Sequence, residues 1–390
     1  MKVLMVSCLP EEYNNSSSLC VQLLCKGFLK NGHSVFFVTP YPDLKNKYYC
    51  PDYKFEDKNL FHIRYWKENV KENDHIVQNG FKLKVKNFFL KIYRKFDLFG
   101  RSINCLNYVK EVYKELKSKQ IYPDVIISTS DPKTSHLFAS KLFKYLKKAP
   151  YYIQYWGDPL LRDITQKSLL PKAIKKKIEK AILKKANKII YVSPFTLAEQ
   201  KKLFPCLSKY MAYLPTPCEE TNYTQENKVV LGYFGSYHSS VRDIMPLYNA
   251  VKDKKNIYLY LIGDSDIKLN NLENIQILDR ISTQDLQRYY NKCSVLVELT
   301  NKIGAQIPAK IFRDAGSNRE VVIIYELGDG ELIKDYFSQF NRFSFCKNTV
   351  EDIKKLLDYY LSLNIPERTP EKAFLYYNVA ESILQFSGRG

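Results

Sequence analysis

The sequence reads as an α/β protein of two doubly wound domains, and three observations lead there. Short apolar runs of the kind that become buried parallel strands alternate with stretches of helical spacing along the chain. That scheme starts afresh at Val229-Val230-Leu231-Gly232-Tyr233-Phe234-Gly235. The charge divides at the same place: residues 1–220 hold 39 Lys and Arg against 20 Asp and Glu, whereas residues 221–390 hold 21 of each, so the whole net charge of +19 lies in the first part. A chain of 390 residues is too long for one ordinary core and suits two. The expected division is a strongly basic domain over 1–220, a neutral domain over 221–370, and a closing helix within 371–390 that packs back on the first domain.

Lys2–Ser7 reads as the first strand. The polar stretch Glu12-Tyr13-Asn14-Asn15-Ser16-Ser17-Ser18 reads as a loop, and Leu19–Lys30 as a helix with Leu19, Leu23, Phe28 and Leu29 on one side. Asn31-Gly32 is a helix stop, and His33–Thr39 is the next strand of a βαβ unit. Asp124–Ser128, Tyr151–Tyr155 and Lys188–Ser193 are further buried strands, the last followed by a helix from Pro194. In the second half Val229–Phe234, Ile257–Ile262, Ile275–Leu278, Ser294–Leu299 and Glu320–Ile324 are strands. Ile244–Val251, Thr283–Asn291, Val350–Leu363 and Ala373–Phe386 are helices. Ligands of doubly wound sheets bind at the carboxyl ends of the strands, which puts the expected cleft between the halves.

No segment approaches the roughly 20 apolar residues of a membrane-spanning helix. Met1–Ser7 turns polar at Glu11-Glu12 and reads as a strand, not a signal peptide. Nine cysteines without a Cys-x-x-Cys spacing fit reduced thiols and a cytoplasmic location. Two lysine-rich stretches fit the anionic inner face of a membrane. One is Phe81–Arg101, where Phe88, Phe89, Tyr93, Phe96 and Phe99 interleave with Lys82, Lys84, Lys86, Lys91, Arg94 and Lys95. The other is a helix after Pro171, whose Ile174, Ile178, Ala181 and Ile182 form one apolar face among lysines. A basic nucleic-acid-binding protein is the alternative such charge admits. The charge is spread over several helices and forms no nucleic-acid module, so nucleic acid is not the expected partner.

Four strand ends carry candidate chemistry. Gly235 and Ser236 close a strand at a glycine turn, with Arg242 following; bare backbone and a guanidinium suit a phosphate. Gly263 ends the next strand, where a base has room against bare backbone. Arg280 precedes a helix. Gly304-Ala305-Gln306-Ile307-Pro308-Ala309-Lys310 places a glycine loop at a helix start with Lys310 in its first turn, an anion site.

Together these resemble the donor half of GT-B glycosyltransferases of the family-4-like group (glycosyl transferases group 1), of the bacterial cell-surface polysaccharide type. The resemblance runs over nearly the whole chain. Ile126-Ile127-Ser128-Thr129-Ser130-Asp131-Pro132, Gln154-Tyr155-Trp156-Gly157-Asp158-Pro159 and Ala186–Ser193 resemble first-domain segments of that family. Gly304–Phe312 resembles the GxxxPxKxFEY form of its donor signature. The resemblance implies two Rossmann-like domains facing each other across a cleft, the first meeting acceptor and membrane and the second holding a nucleotide-sugar. It implies Arg242 and Lys310 on the donor diphosphate, Gly263 and Arg280 beside the base, and Asp158 facing the acceptor. It also implies retention at the anomeric carbon, no catalytic metal and no cofactor beyond the donor itself. The expected acceptor is a lipid-linked saccharide or other glycan, and the expected setting is the cytoplasmic face of the membrane.

One departure stands out. The family carries an acidic residue after KxF to bind the donor ribose; here that position is Arg313, and the acidic position eight residues earlier is Ala305. Arg313 cannot accept a hydrogen bond. Asp314 takes the role if the helix is turned by one residue; otherwise Gln306 and backbone hold the ribose. The departure also keeps open a non-catalytic homologue acting as an assembly partner. The loop at Asn14–Ser18 replaces paired glycines and offers hydroxyls and amides to a ligand. Asp264-Ser265-Asp266 imitates a metal motif out of context, and His33, His136 and His238 read as capping, packing or exposed residues.

Overall fold

The structure, a computed structural model, describes residues 1–65, 95–146, 149–163, 168–224, 228–304, 306–362 and 365–388. It divides into two compact units, Met1–Leu214 with Ala380–Gly390, and Pro215–Val379.

The first unit is a seven-stranded, wholly parallel sheet. Its strands are β1 (Lys2–Val6), β2 (Ser34–Pro40), β3 (Leu60–Tyr65), β4 (Val125–Thr129), β5 (Tyr151–Trp156), β6 (Lys188–Tyr191) and β7 (Met211–Tyr213). Their spatial order is β3-β2-β1-β4-β5-β6-β7, so the winding reverses between β1 and β4. Helices α1 (Ser16–Lys30), α2 (Val109–Ser118), α3 (Thr134–Phe143), α4 (Lys172–Leu183) and α5 (Pro194–Leu203) supply the crossovers. The central strands are buried along nearly their whole length, which is why they read as continuous apolar runs.

Two local expectations are corrected here. Helix α1 begins at Ser16, not Leu19. Asn15 is its N-cap and accepts from Ser18 N at 3.0 Å, while the buried Ser18 hydroxyl donates to Pro10 O at 2.8 Å. Asn14 Oδ1 accepts from the Tyr53 hydroxyl at 3.0 Å. The polar stretch offered to a ligand is thus largely a helix start. Helix α4 is rotated from the expected stripe: Glu179, Ile182 and Leu183 are buried, whereas Ile174 and Ala181 are exposed. The buried set keeps i, i+3, i+4 spacing but includes a carboxylate, which an apolar-only reading passes over.

The second unit repeats the winding with six parallel strands: β8 (Val229–Phe234), β9 (Ile257–Ile262), β10 (Ile275–Leu278), β11 (Val295–Leu299), β12 (Glu320–Tyr325) and β13 (Phe343–Lys347). Their order is β10-β9-β8-β11-β12-β13. Its helices are α6 (Met245–Lys252), α7 (Thr283–Lys292), α8 (Ala309–Ala315), α9 (Asp329–Phe337), α10 (Val350–Ser362) and α11 (Tyr376–Gln385); the division between units falls within α11. In the first unit Lys188 Nζ lies 4.2 Å from the ring centroid of Phe386, beyond α11.

The winding reverses between β8 and β11. Those strands pair only at Val295 with Leu231 and Leu296 with Gly232, whereas β8 stays paired with β9 out to Phe234 and Ile262. β8 and β11 therefore part toward their carboxyl ends, opening a crevice there.

No helix among the described residues is long and apolar enough to cross a membrane. Of the aromatic basic stretch, Phe88, Phe89, Tyr93, Lys82, Lys84, Lys86, Lys91 and Arg94 lie outside the described residues, as does Ala305.

Candidate active site

The crevice of the second unit is built from glycine outward. At the end of β8, a Cβ on Gly235 would lie 2.8 Å from Lys310 Cδ, so the lysine stem lies against the bare glycine. A Cβ on Gly263, at the end of β9, would lie 2.3 Å from Gly235 O. Gly263 is therefore demanded by the close approach of two strand ends, a requirement separate from any ligand.

Lys310 stands in the first turn of α8. Its Nζ lies 3.3 Å from Glu298 Oε2 and 3.6 Å from the ring centroid of Tyr233. It has no hydrogen-bond partner among the described residues. The Tyr233 hydroxyl donates to Ser236 O at 3.0 Å, and Arg242 Nη1 donates to the same carbonyl at 2.8 Å. Arg242 Nε is shielded and unpartnered among the described residues. The structure thus brings Gly235, Ser236, Arg242 and Lys310 to one turn at the reversal point. The loop after β11 joins them, because Lys302 N donates to Val241 O at 2.8 Å. In that loop Gly304 N donates to Asp329 Oδ2 at 2.7 Å, and Gln306 and Ile307 are half-buried before Pro308. Helix α8 has only seven residues, so the positive charge at this place is carried by Lys310 rather than by a long helix dipole.

Arg280 and Asp264 pair with each other, Nη2 and Nε reaching one oxygen at 2.6 and 3.0 Å. Asp266 accepts from Ser239 N and Oγ at 2.6 and 2.7 Å. The two acids of the Asp-x-Asp sequence are thus engaged in different contacts.

Asp314 is buried behind the turn and accepts from the Tyr290 hydroxyl at 3.1 Å and from Arg313 Nε at 2.9 Å. Arg313 also lies 5.4 Å from the Tyr290 ring centroid. Burial pushes the Asp314 carboxyl up, but the charge of Arg313 and the hydrogen bonds from Glu298 and Arg313 outweigh it and leave it below its ordinary value. Arg313, at the position where a carboxylate was sought, instead closes an internal ion pair.

Glu298 is the residue the sequence reading passed over. It is fully buried, and burial with the neighbouring Asp314 carboxylate pushes its carboxyl up to about 8 against the pull of Lys310 and Arg313. Its signal was present: one carboxylate inside Val295-Leu296-Val297-Glu298-Leu299, a buried strand that tolerates a charge only with a partner.

In the first unit, Asp158 follows β5. Ser130 Oγ accepts from Gly157 N at 3.0 Å, tying that turn to the end of β4. The buried Lys133 ammonium pairs with Asp131 at 2.7 Å and Asp163 at 2.8 Å. Burial, then the charges of Asp131 and Asp163, raise the Asp158 carboxyl to about 6, with Lys133 opposing. Glu179 of α4 fixes the same loop by accepting from Leu161 N at 2.9 Å. His136 is a packing residue: its Nδ1 lies 2.7 Å from Ser128 Oγ and its ring stacks on Trp156 at 4.1 Å.

No protein-family model matches the sequence, and no curated protein matches it. Solved structures match across the chain. HepE of Anabaena, solved with UDP and glucose, is similar at a TM-score of 0.56 and 9% identity, covering 99% of this chain and 95% of that one. AviGT4, a glycosyltransferase of avilamycin A biosynthesis, is similar at 0.52 and 10% identity, covering 100% and 97%. UGT89C1 of Arabidopsis thaliana, solved with UDP-L-rhamnose, is similar at 0.53 and 9% identity, covering 99% and 98%. With its two parallel sheets wound in the same order, the chain has the GT-B fold of these glycosyltransferases.

Proposed function

We propose that this chain is a glycosyltransferase whose second unit binds a nucleotide-sugar by its diphosphate. The observation that carries the reading is the Gly235-Ser236 turn. Bare backbone, the Lys310 ammonium and the Arg242 guanidinium meet there, at the reversal point where doubly wound sheets take their ligands. That set does one thing well: it stabilises negative charge. Glycosyl transfer from a nucleotide-sugar builds such charge on the departing diphosphate, and two cations fixed beforehand lower that barrier by several kcal/mol. UDP and UDP-L-rhamnose in structures of the same fold agree with a diphosphate-linked donor.

Asp158 is the acceptor-side group of this reading. Its carboxyl, raised to about 6, is poised to exchange a proton near neutral pH. Retention at the anomeric carbon without a metal, and transfer to a lipid-linked saccharide or other glycan in cell-surface polysaccharide synthesis, complete the proposal. The first unit supports the anionic membrane surface. Around α4, Lys172, Lys176, Lys177, Lys184 and Lys185 are exposed beside the exposed apolar side chains of Leu169 and Ile174.

A thermal-shift panel of UDP-, GDP-, ADP- and CMP-sugars tests the donor class. Stabilisation by one nucleoside-diphosphate sugar is expected. A response confined to the CMP-sugar, or to none, contradicts the reading.

A further inference from the structure

We propose that Glu298 is a positioning residue for the donor anion, fixing Lys310 Nζ over Tyr233 beside the Gly235 turn and releasing it to an incoming diphosphate. The proposal rests on the donor-site reading above and adds to it how the lysine is held and freed.

The geometry comes first. Glu298 is the penultimate residue of β11, where that strand parts from β8, with no exposed surface, and its carboxyl shares a hydrogen bond with Asp314. Its ion-pair partner is Lys310, at 3.3 Å. The lysine stem is confined by Gly235 on one side, and its head faces the Tyr233 ring. Held this way, the ammonium is near the turn before any ligand arrives, so binding does not have to order a flexible side chain.

The release follows from charge. The groups facing Glu298 are Lys310, Arg313 and Asp314 on α8 and Tyr290 on α7, while the ring of Tyr233 on β8 faces Lys310. Arg313 and Asp314 are paired with each other, which leaves Lys310 as the cation shared between Glu298 and a ligand. A diphosphate beside Lys310 places negative charge near the Glu298 carboxylate, and the carboxylate answers by taking up a proton. Burial and Asp314 already hold that carboxyl at about 8. Below this pH Glu298 is protonated and faces Lys310 as a neutral group that does not compete for the ammonium, so the ion pair that holds the lysine forms only above it. Above it, binding must draw a proton from solvent. Affinity is therefore expected to be flat below about 8 and to fall as pH rises, by at most about tenfold per pH unit. The neutral isostere in Glu298→Gln removes both the competition and the proton.

The test is titration calorimetry of UDP, GDP and ADP from pH 7 to 9, in buffers of different ionisation enthalpy, with wild type, Glu298→Gln and Lys310→Ala. Wild type is expected to take up a growing fraction of a proton per nucleotide above pH 8 and to lose affinity over the same range. Glu298→Gln should take up less and keep its affinity within about twofold beyond the nucleotide's own titration. Lys310→Ala should bind at least about tenfold more weakly at every pH. If Lys310→Ala loses binding but wild type and Glu298→Gln share one pH profile and one proton count, the role of Glu298 is wrong and the donor site stands. If Lys310→Ala binds like wild type, or none of the three nucleotides binds, the donor-site reading fails and this inference with it. The wild-type proton count needs no variant, so a poorly folded Glu298→Gln leaves the proposal open to refutation.

Discussion

An arginine at 313 looks, in the sequence, like the loss of a ribose ligand. In the structure it is the partner of Asp314, and together with Glu298 and Lys310 it makes a cluster of two cations and two carboxyls behind the glycine turn. Restoring an acidic residue is therefore predicted to harm rather than repair. Arg313→Glu sets a third carboxyl beside two that are buried and removes one of their two cations. Breaking a buried ion pair costs about 3–5 kcal/mol. The partial exposure of Arg313 puts the expected loss at the lower end, a Tm drop of several degrees. An unchanged Tm with tighter nucleotide binding would place Arg313 in the donor pocket instead. At this scale the sequence was informative about chemical type and poor about partners. Lys310 and Arg242 were legible as cations near a glycine turn. That Asp314 is engaged by Tyr290 and Arg313, and that Glu298 is buried, depends on which way each side chain turns, which one strand and one short helix decide only once packed.

At the scale of elements, the strands legible in the sequence were mainly the central ones. β1, β4, β8 and β11 are covered on both faces and so are written almost wholly in apolar residues. The strands passed over are β3, β7 and β13, each at a sheet edge. Leu60–Tyr65 shows why, since it alternates apolar residues with His62 and Arg64 and is buried unevenly. The same scale explains α4, whose inward face contains Glu179 because the loop carrying Asp158 needs an acceptor for Leu161 N. The glycines at strand ends supply the prediction here. A Cβ at Gly263 would meet Gly235 O at 2.3 Å, whereas one at Gly304 meets nothing within 4 Å. Gly263→Ala should thus displace the Gly235 turn, costing about 1–3 kcal/mol and most nucleotide binding. Gly304→Ala, strained only by its φ of +87°, should cost about 1 kcal/mol and leave the turn intact. Equal effects of the two on thermal unfolding and on UDP binding would show that the close approach of β8 and β9 does not shape the site.

For the whole molecule, the charge asymmetry and the repeat of one winding pattern were the most legible features, because both are sums over many residues. The basic first part predicts attraction to anionic vesicles that weakens with salt. With α4 as a main contact, reversing Lys172, Lys176, Lys177 and Lys184 to Glu should lower binding to vesicles of 30% phosphatidylserine by at least about a hundredfold, at roughly 1 kcal/mol for each basic residue. Retained binding would move the contact away from α4, and equal binding to neutral vesicles would remove the charge argument. The central claim is that the turn at Gly235 stabilises a departing diphosphate. Its most direct test is the release of nucleoside diphosphate from a panel of nucleotide-sugars, followed in time with wild type and Arg242→Ala. The account predicts release from one donor by wild type and a loss of about a hundredfold or more in the variant, with its Tm preserved. Release from no donor, or equal release by the variant, would contradict it.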